Sequence, residues 1–215
     1  MAMPARDHVD KSSGTRARQR ALARVRLLQA AKEVFEEKGF LDVRVADIAA
    51  RAGVSHGLFY HYFDSKQEIF RELAAAVDER LADTMDVVLD RSTAATPCER
   101  LQAAIRLHFE KYRVEARMMG VIEEVSRYDD AVRAARDARQ RVEKERLVAA
   151  VRQWQQRGLA DPRLDPEVAA VLIGSLTWGF AERWMVRGDL NYDFGQGIEQ
   201  ITMLLMNALR VDEGA

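Results

Sequence analysis

The chain has 215 residues, 48 % hydrophobic and 31 % charged, a balance that suits one folded domain or two small ones and excludes general disorder. A single cysteine, Cys98, excludes an intrachain disulfide framework and any cysteine-rich zinc or iron–sulfur site. The net charge of −1 is unevenly spread: residues 1–66 carry twelve Lys/Arg against eight Asp/Glu, a balance of +4, and the remainder carries −5. A basic first third on an acidic body is the asymmetry of a chain whose one end meets an anionic polymer. Scattered charges on a solvated arm account for the same numbers.

Residues 1–18 mix Asp, Ser, Gly, Arg and Lys without periodicity and read as a disordered basic arm. Residues 1–26 lack the apolar segment of a secretory leader, and the longest charge-free stretch of the second half, residues 168–181, is 14 residues long. That is too short to span a bilayer, so no membrane is expected as a partner and the expected location is the cytoplasm. No proline lies between Pro4 and Pro97, which favours long helices. From about Arg20 the apolar residues Val25, Leu28, Ala31, Val34 and Phe35 recur at helical spacing, until Gly39 stops the run with Phe40 placed to fold back. Short helices follow at 45–52 and 56–62. Ser65 and Glu68 then open a helix expected to reach about residue 90.

After a connector at 91–96, Thr96, Pro97 and Glu99 cap a helix marked by Leu101, Ile105, His108, Phe109 and Tyr112. A separate segment is expected at 116–127. Asp129, Asp165 and Asp193 start three more helices, the first two ended by Gly158 and Gly188. No alternating strand pattern and no internal repeat is present. The spacing therefore predicts an all-α protein of about nine helices.

The informative stretch is Ile48-Ala49-Ala50-Arg51-Ala52-Gly53-Val54-Ser55-His56-Gly57-Leu58-Phe59-Tyr60-His61-Tyr62-Phe63. Ala49 is small enough for two helices to cross closely, and Gly53 supplies a left-handed turn. Val54 plugs the angle between the helices, and Ser55 caps the second one. That second helix alternates Leu58, Phe59 and Phe63 with groups able to bond DNA, as in a helix-turn-helix. A generic helical hairpin is the alternative reading.

Residues 20–70 resemble the DNA-binding domain of the TetR family of transcriptional regulators. Leu27-Leu28-Gln29-Ala30-Ala31-Lys32-Glu33-Val34-Phe35 with Gly39-Phe40 is similar to that family's first helix, and Asp47 to Lys66 carries the rest of the pattern. The resemblance implies an N-terminal three-helix helix-turn-helix domain (residues 19–66) joined to a larger helical domain for effector binding and dimerisation (residues 67–215). It implies that Ser55, His56 and Gly57 open the recognition helix, with His56 able to bond a purine edge and Gly57 letting the backbone approach. Tyr60, His61 and Tyr62 fall where the family touches DNA, and Lys66 at a helix N-terminus is expected to clamp phosphate. The family often opens its second helix with Thr; here Val43-Arg44 stands in its place, and Arg44 can offer a charged phosphate contact instead. Arg16, Arg18 and Arg20 reach the flanking DNA or serve only as a solubilising tail.

Residues 168–181 are apolar almost all round and, with residues 198–209, form the expected two-fold interface, Gly174, Ser175 and Gly179 allowing close approach. A core helix within one subunit is the alternative. The expected effector pocket is lined by Met85, His108, Phe109, Tyr112, Met118 and Met119, with Ile122, Trp154, Trp178 and Trp184 completing it. Adaptable Met and broad Trp walls suit a small hydrophobic effector. The resemblance implies a repressor that binds a palindromic operator as a homodimer and is released by that effector, although activation is an alternative. An all-α enzyme and an architectural DNA-binding protein without effector are the competing classes. The four His form no His-Glu-x-x-His or Glu-x-x-His signature and no phosphate-binding loop occurs, so no metal, no cofactor and no catalytic residue is expected.

Overall fold

The computed structural model describes residues 10–82 and 96–210. Every regular element among them is helical. The chain divides into two compact units, Met1–Leu73 and Ala74–Ala215.

The first unit holds α1 (Asp10–Asp42), α2 (Val45–Ala52), α3 (His56–Tyr60) and the start of α4 (Lys66–Leu81). Helical backbone begins at Asp10, not near Arg20, so residues 10–18 of the expected irregular arm are helix; residues 1–9 lie outside the described residues. The buried face of α1 is Ala23, Leu27, Ala30, Ala31, Val34 and Phe35, while Val25 is 61 % exposed. Val25 and Leu28 fit a period of 3.6 as well as Ala23 and Leu27 do; the large partners below decide which face is covered. Helical dihedrals break at Gly39 (φ 74°) and Phe40 folds back as expected. Its ring stacks on Phe35 at 5.6 Å and meets Phe70 of α4 edge-on at 4.9 Å. Arg24 of α1 pairs with Glu72 of α4 and lies 5.3 Å over the Phe63 ring.

The second unit contains the end of α4, then α5 (Pro97–Val125), α6 (Asp130–Gln156), α7 (Pro166–Ala181) and α8 (Phe194–Leu209). The caps stand where the sequence puts them. Thr96 Oγ1 accepts from Glu99 N–H while Glu99 accepts from Thr96 N–H, and Asp129, Asp165 and Asp193 each accept two N–H bonds from their own first turns. Two expectations change. The helices expected to end near Tyr112 and begin again at 116 are one run of 29 residues. Glu115, in the supposed gap, is buried and accepts from Arg80 Nε at 2.7 Å, so its charge is paired within the unit and does not break the helix. The helix expected to reach residue 187 ends at Ala181 and continues as a π-helical turn, Glu182–Val186.

α6 packs along α7, with Leu147 and Val148 against Ala170 and Ile173. α5 packs against α8 and the π-turn, around an aromatic cluster in which Trp184 lies 6.0 Å from Phe109, 5.2 Å from Phe180 and 5.8 Å from Phe194. Gly197 permits this arrangement, since a Cβ there would overlap the Trp184 ring. On the other side of α7 and α8 an apolar set stays uncovered in the chain: Val168, Val171, Leu172, Met203 and Leu204 are each at least 50 % exposed. Gly197→Ala should overpack the contact between α8 and the Trp184 ring of the π-turn and lower stability by about 1–3 kcal/mol, read as a reduced urea midpoint with an unchanged denaturant slope.

Candidate functional site

α2 and α3 form the bihelical turn that the sequence predicts. Gly53 sits at φ 66°, ψ 36°, and the turn closes through Gly53 N–H to Ala50 O (3.1 Å) and Val54 N–H to Ala49 O (3.0 Å). A Cβ on Gly53 would meet nothing within 4 Å, so glycine is required there by its left-handed backbone and not by space. Ser55 Oγ accepts from Leu58 N–H at 3.2 Å and caps α3. Ile48, Ala49, Ala52 and Phe59 are buried between the helices, and Phe63 beyond α3 is 2 % exposed.

With Phe59 inward, the opposite face of α3 points to solvent. His56, Gly57, Tyr60 and His61 are exposed and Tyr62 is half-buried; His56 and Tyr60 rings meet edge-on at 5.1 Å. α3 is two residues shorter than expected, so His61 and Tyr62 lie in the turn that follows it. A Cβ on Gly57 would also meet nothing within 4 Å and its backbone is ordinary, so the fold does not demand glycine at this position. Arg44 is exposed, and its backbone N–H donates to Asp47 Oδ2 at 2.8 Å at the start of α2. Arg18 and Arg20 are exposed on the outer part of α1.

Lys66 is placed differently from expectation. Its Nζ donates to the carbonyls of Phe40 (2.8 Å), Leu41 (3.3 Å) and Val43 (2.7 Å) and lies 4.6 Å over the Phe40 ring. All three ammonium protons are thus used to close the end of α1, and burial pulls its pKa below the ordinary lysine value. It is a tie within the unit and not a clamp with a free charge. Arg51 is similarly committed, at 2.6 Å to Glu37 and 3.2 Å to Glu33, and Lys38 pairs with Asp47 at 3.0 Å. These pairs decide which basic side chains are committed within the unit and leave its net charge unchanged.

Two adjoining cavities among the described residues of the second unit share walls at His108, Glu143, Leu147 and Thr177. The smaller, about 70 Å³, is largely apolar and lies among Leu101, Ile105, Phe109, Val151, Trp154 and Leu205. The larger, about 430 Å³, has a mixed wall in which Asp137, Gln140, Arg141, Lys144 and Ser175 join Leu147, Val171 and Trp178. Arg136 and Arg139 lie over the Trp178 ring at 4.9 and 5.7 Å.

Of the expected pocket residues, His108, Phe109, Trp154 and Trp178 line a cavity. Tyr112, Met118, Met119 and Ile122 line neither and are buried core; Trp184 lines neither and belongs to the aromatic cluster. Met118, Met119 and Ile122 stand further along α5, which rises about 1.5 Å per residue, so Ile122 is about 20 Å beyond His108; Tyr112, one turn from His108, packs its ring against Trp178 at 5.7 Å. Met85 lies outside the described residues. Leu147, Ala150 and Val151 of α6 are wall residues outside the expected pocket, and so are Ile173 and Thr177 of α7 and Leu205 and Leu209 of α8, which fall in the segments expected at the two-fold interface. Their signal was only that of ordinary amphipathic stripes.

Burial pushes the His108 imidazole down to about 4, with the charges of Arg139 and Lys111 acting in the same direction. Unfolded, the same ring titrates near 6.5, so between these values the unfolded chain binds more protons and acid favours it. Stability should accordingly fall between pH 6.5 and 4, by about 3 kcal/mol from this group. His108→Phe should flatten that part of the stability–pH curve in denaturant titrations.

Among the described residues no group of His, Cys, Asp or Glu is arranged to hold a metal ion, and no helix is long and apolar enough to cross a membrane. Residues 27–73 match the family described as bacterial regulatory proteins, tetR family. The HTH-type transcriptional repressor KstR2 of Mycobacterium tuberculosis is 30 % identical over 169 residues, which cover 74 % of this chain and 78 % of KstR2. The HTH-type transcriptional regulator BetI of Rhizobium meliloti is 40 % identical over 83 residues, 39 % of this chain, and the match spans 40 % of BetI. SmeT, the repressor of the Stenotrophomonas maltophilia multidrug efflux pump SmeDEF, shares the fold with a TM-score of 0.70 at 23 % identity, over 89 % of this chain and 91 % of SmeT. The fatty acid degradation regulator FadR from Bacillus halodurans does so with a TM-score of 0.69 at 22 % identity, over 88 % and 97 % of the two chains. These relatives are transcriptional regulators and not enzymes. The helix-turn-helix, the all-helical second unit and the extent of the match to KstR2 together identify the chain as a member of the TetR family of DNA-binding transcriptional regulators.

Proposed function

We propose that the protein is a repressor that binds a palindromic operator as a homodimer in the cytoplasm and is released by a small hydrophobic effector. One observation carries the DNA-reading part: α3 buries Phe59 and presents His56, Gly57 and Tyr60 to solvent on its first turns, with nothing within 4 Å of the Gly57 Cβ position. A helix entering the major groove reads base edges with its N-terminal residues. In this reading Ser55 fixes the start of the helix, His56 bonds a base edge and the Gly57 backbone approaches closely. Tyr60, His61, Tyr62 and Arg44 bond the phosphate backbone. Lys66 contributes by holding the α1 end and the α4 start together.

The uncovered apolar set on α7 and α8 supports pairing of two copies. A palindromic operator presents two half-sites related by the same two-fold axis. The cavities of the second unit support effector binding. α4 is the covalent link, starting at Lys66 in the first unit and ending at Leu81 in the second. Its last turns are tied to the helices that wall the cavities: Asp78 to Arg139 of α6 at 2.9 Å, and Arg80 to Glu115 of α5 at 2.7 Å. Arg139 is also 3.7 Å from Glu143, a wall residue of both cavities. A ligand that prefers one arrangement of α5 and α6 thereby biases α4 and the population of DNA-competent dimers.

Fluorescence anisotropy with duplex DNA from beside the protein's own gene tests the reading. A preference of about a thousandfold or more over a scrambled duplex at physiological salt is expected for a specific reader. Tyr60→Ala should weaken binding about tenfold with an unchanged circular dichroism spectrum; equal affinity for both duplexes would overturn specific recognition. Leu172→Glu should convert dimer to monomer in sedimentation, and an unaltered dimer would remove α7 from the interface.

A further inference from the structure

Among the described residues, two side chains that line the small cavity each carry a buried nitrogen without a hydrogen-bond partner: His108 Nε2 and Trp154 Nε1. Their residues are 9 % and 3 % exposed. A buried polar atom without a partner is costly, so each such nitrogen in a cavity wall points to a group it is built to meet. The indole N–H only donates and needs an acceptor. Thr177, in the same wall, already donates its hydroxyl proton to Ile173 O at 2.9 Å. The other ionisable wall group is Glu143, and no Lys or Arg lines this cavity.

We propose that the small cavity receives the uncharged oxygen of an apolar ligand, a hydroxyl or a ketone, between Trp154 Nε1 and His108 Nε2. This deepens, and rests on, the reading of the second unit as an effector site. A hydroxyl accepts from the indole and donates to the imidazole; a ketone accepts from both when the imidazole proton is on Nε2. A ligand ammonium leaves the indole N–H without an acceptor. A ligand carboxylate brings a second negative charge beside Glu143 into a wall with no cation. His108 does not supply that cation at neutral pH, because burial keeps its ring neutral. At about 70 Å³ the cavity takes only the oxygenated end, and the shared walls at His108, Leu147 and Thr177 lead the rest of the ligand toward the larger cavity.

The test is isothermal titration of the full-length protein, without DNA, at pH 7.5, with nonan-1-ol, nonan-2-one, nonanoate and nonylammonium. The alcohol or the ketone should bind about tenfold or more tightly than either ion. Trp154→Phe keeps the ring but deletes the donor, and should weaken the neutral ligands about tenfold while leaving the weak binding of nonanoate unchanged. If Trp154→Phe does not fold, His108→Leu serves the same comparison. Nonanoate binding as tightly as nonan-1-ol, a variant with wild-type alcohol affinity, or binding by none of the four would each overturn the assignment. DNA binding by the same preparation separates the two readings. Specific DNA binding alongside any of those results overturns the ligand chemistry alone, and loss of DNA binding by the wild-type protein overturns the regulator reading itself.

Discussion

A helix of five residues does not persist in water, because nucleation fixes several residues for a single hydrogen bond. α3 exists because Phe59 is buried against α2, with the Gly53 turn setting the angle and Ser55 satisfying the first turn. Everything that this unit offers to a partner depends on that one buried ring. Because Phe59 points inward, His56, Gly57 and Tyr60 point outward, and no other packing of so short a helix presents the same three together. The aromatic group of Phe35, Phe40 and Phe70, with Lys66 closing the end of α1, provides the rigid base for it.

The second unit distributes its polar groups differently. Buried Glu115 is paired with Arg80 and half-buried Asp78 with Arg139, and these pairs join the end of α4 to α5 and α6. His108 and Trp154 stand apart, since they line the cavity and each has a buried ring nitrogen with no partner among the described residues. Paired groups hold helices in register, whereas unpaired buried groups in a cavity wall reward a ligand that completes them. Arg139 adjoins both sets, through Asp78 on one side and Glu143 on the other, so cavity and linking helix share one charged residue.

Local signals in the sequence carried the element boundaries well. The Thr96, Asp129, Asp165 and Asp193 caps act within one turn of chain, and so does the Gly53–Ser55 punctuation. Errors arose where a distant partner decides. The face of α1 is chosen by Phe40, Phe63 and Phe70, so Val25 is exposed and Ala23 is buried. Glu115 resembled a polar break until Arg80 is brought beside it. Lys66 resembled a free cation at a helix start, but its ammonium is consumed by carbonyls some 25 residues earlier in the chain. In the second unit, Tyr112, Met118, Met119 and Ile122 are buried core that lines neither cavity, whereas Leu147, Ile173 and Leu205, of ordinary apolar chemistry, stand in a wall.

The helical class, the bihelical turn and the residues that open the exposed helix are thus legible in the chain, because caps, glycine conformation and short-range periodicity are properties of neighbouring residues. Which cations are free to meet a phosphate, and which core residues border empty space, is settled by the folded packing. Both depend on the packing of helices far apart in the chain: a charge is neutralised, or a void is left, by partners that no local window of sequence contains.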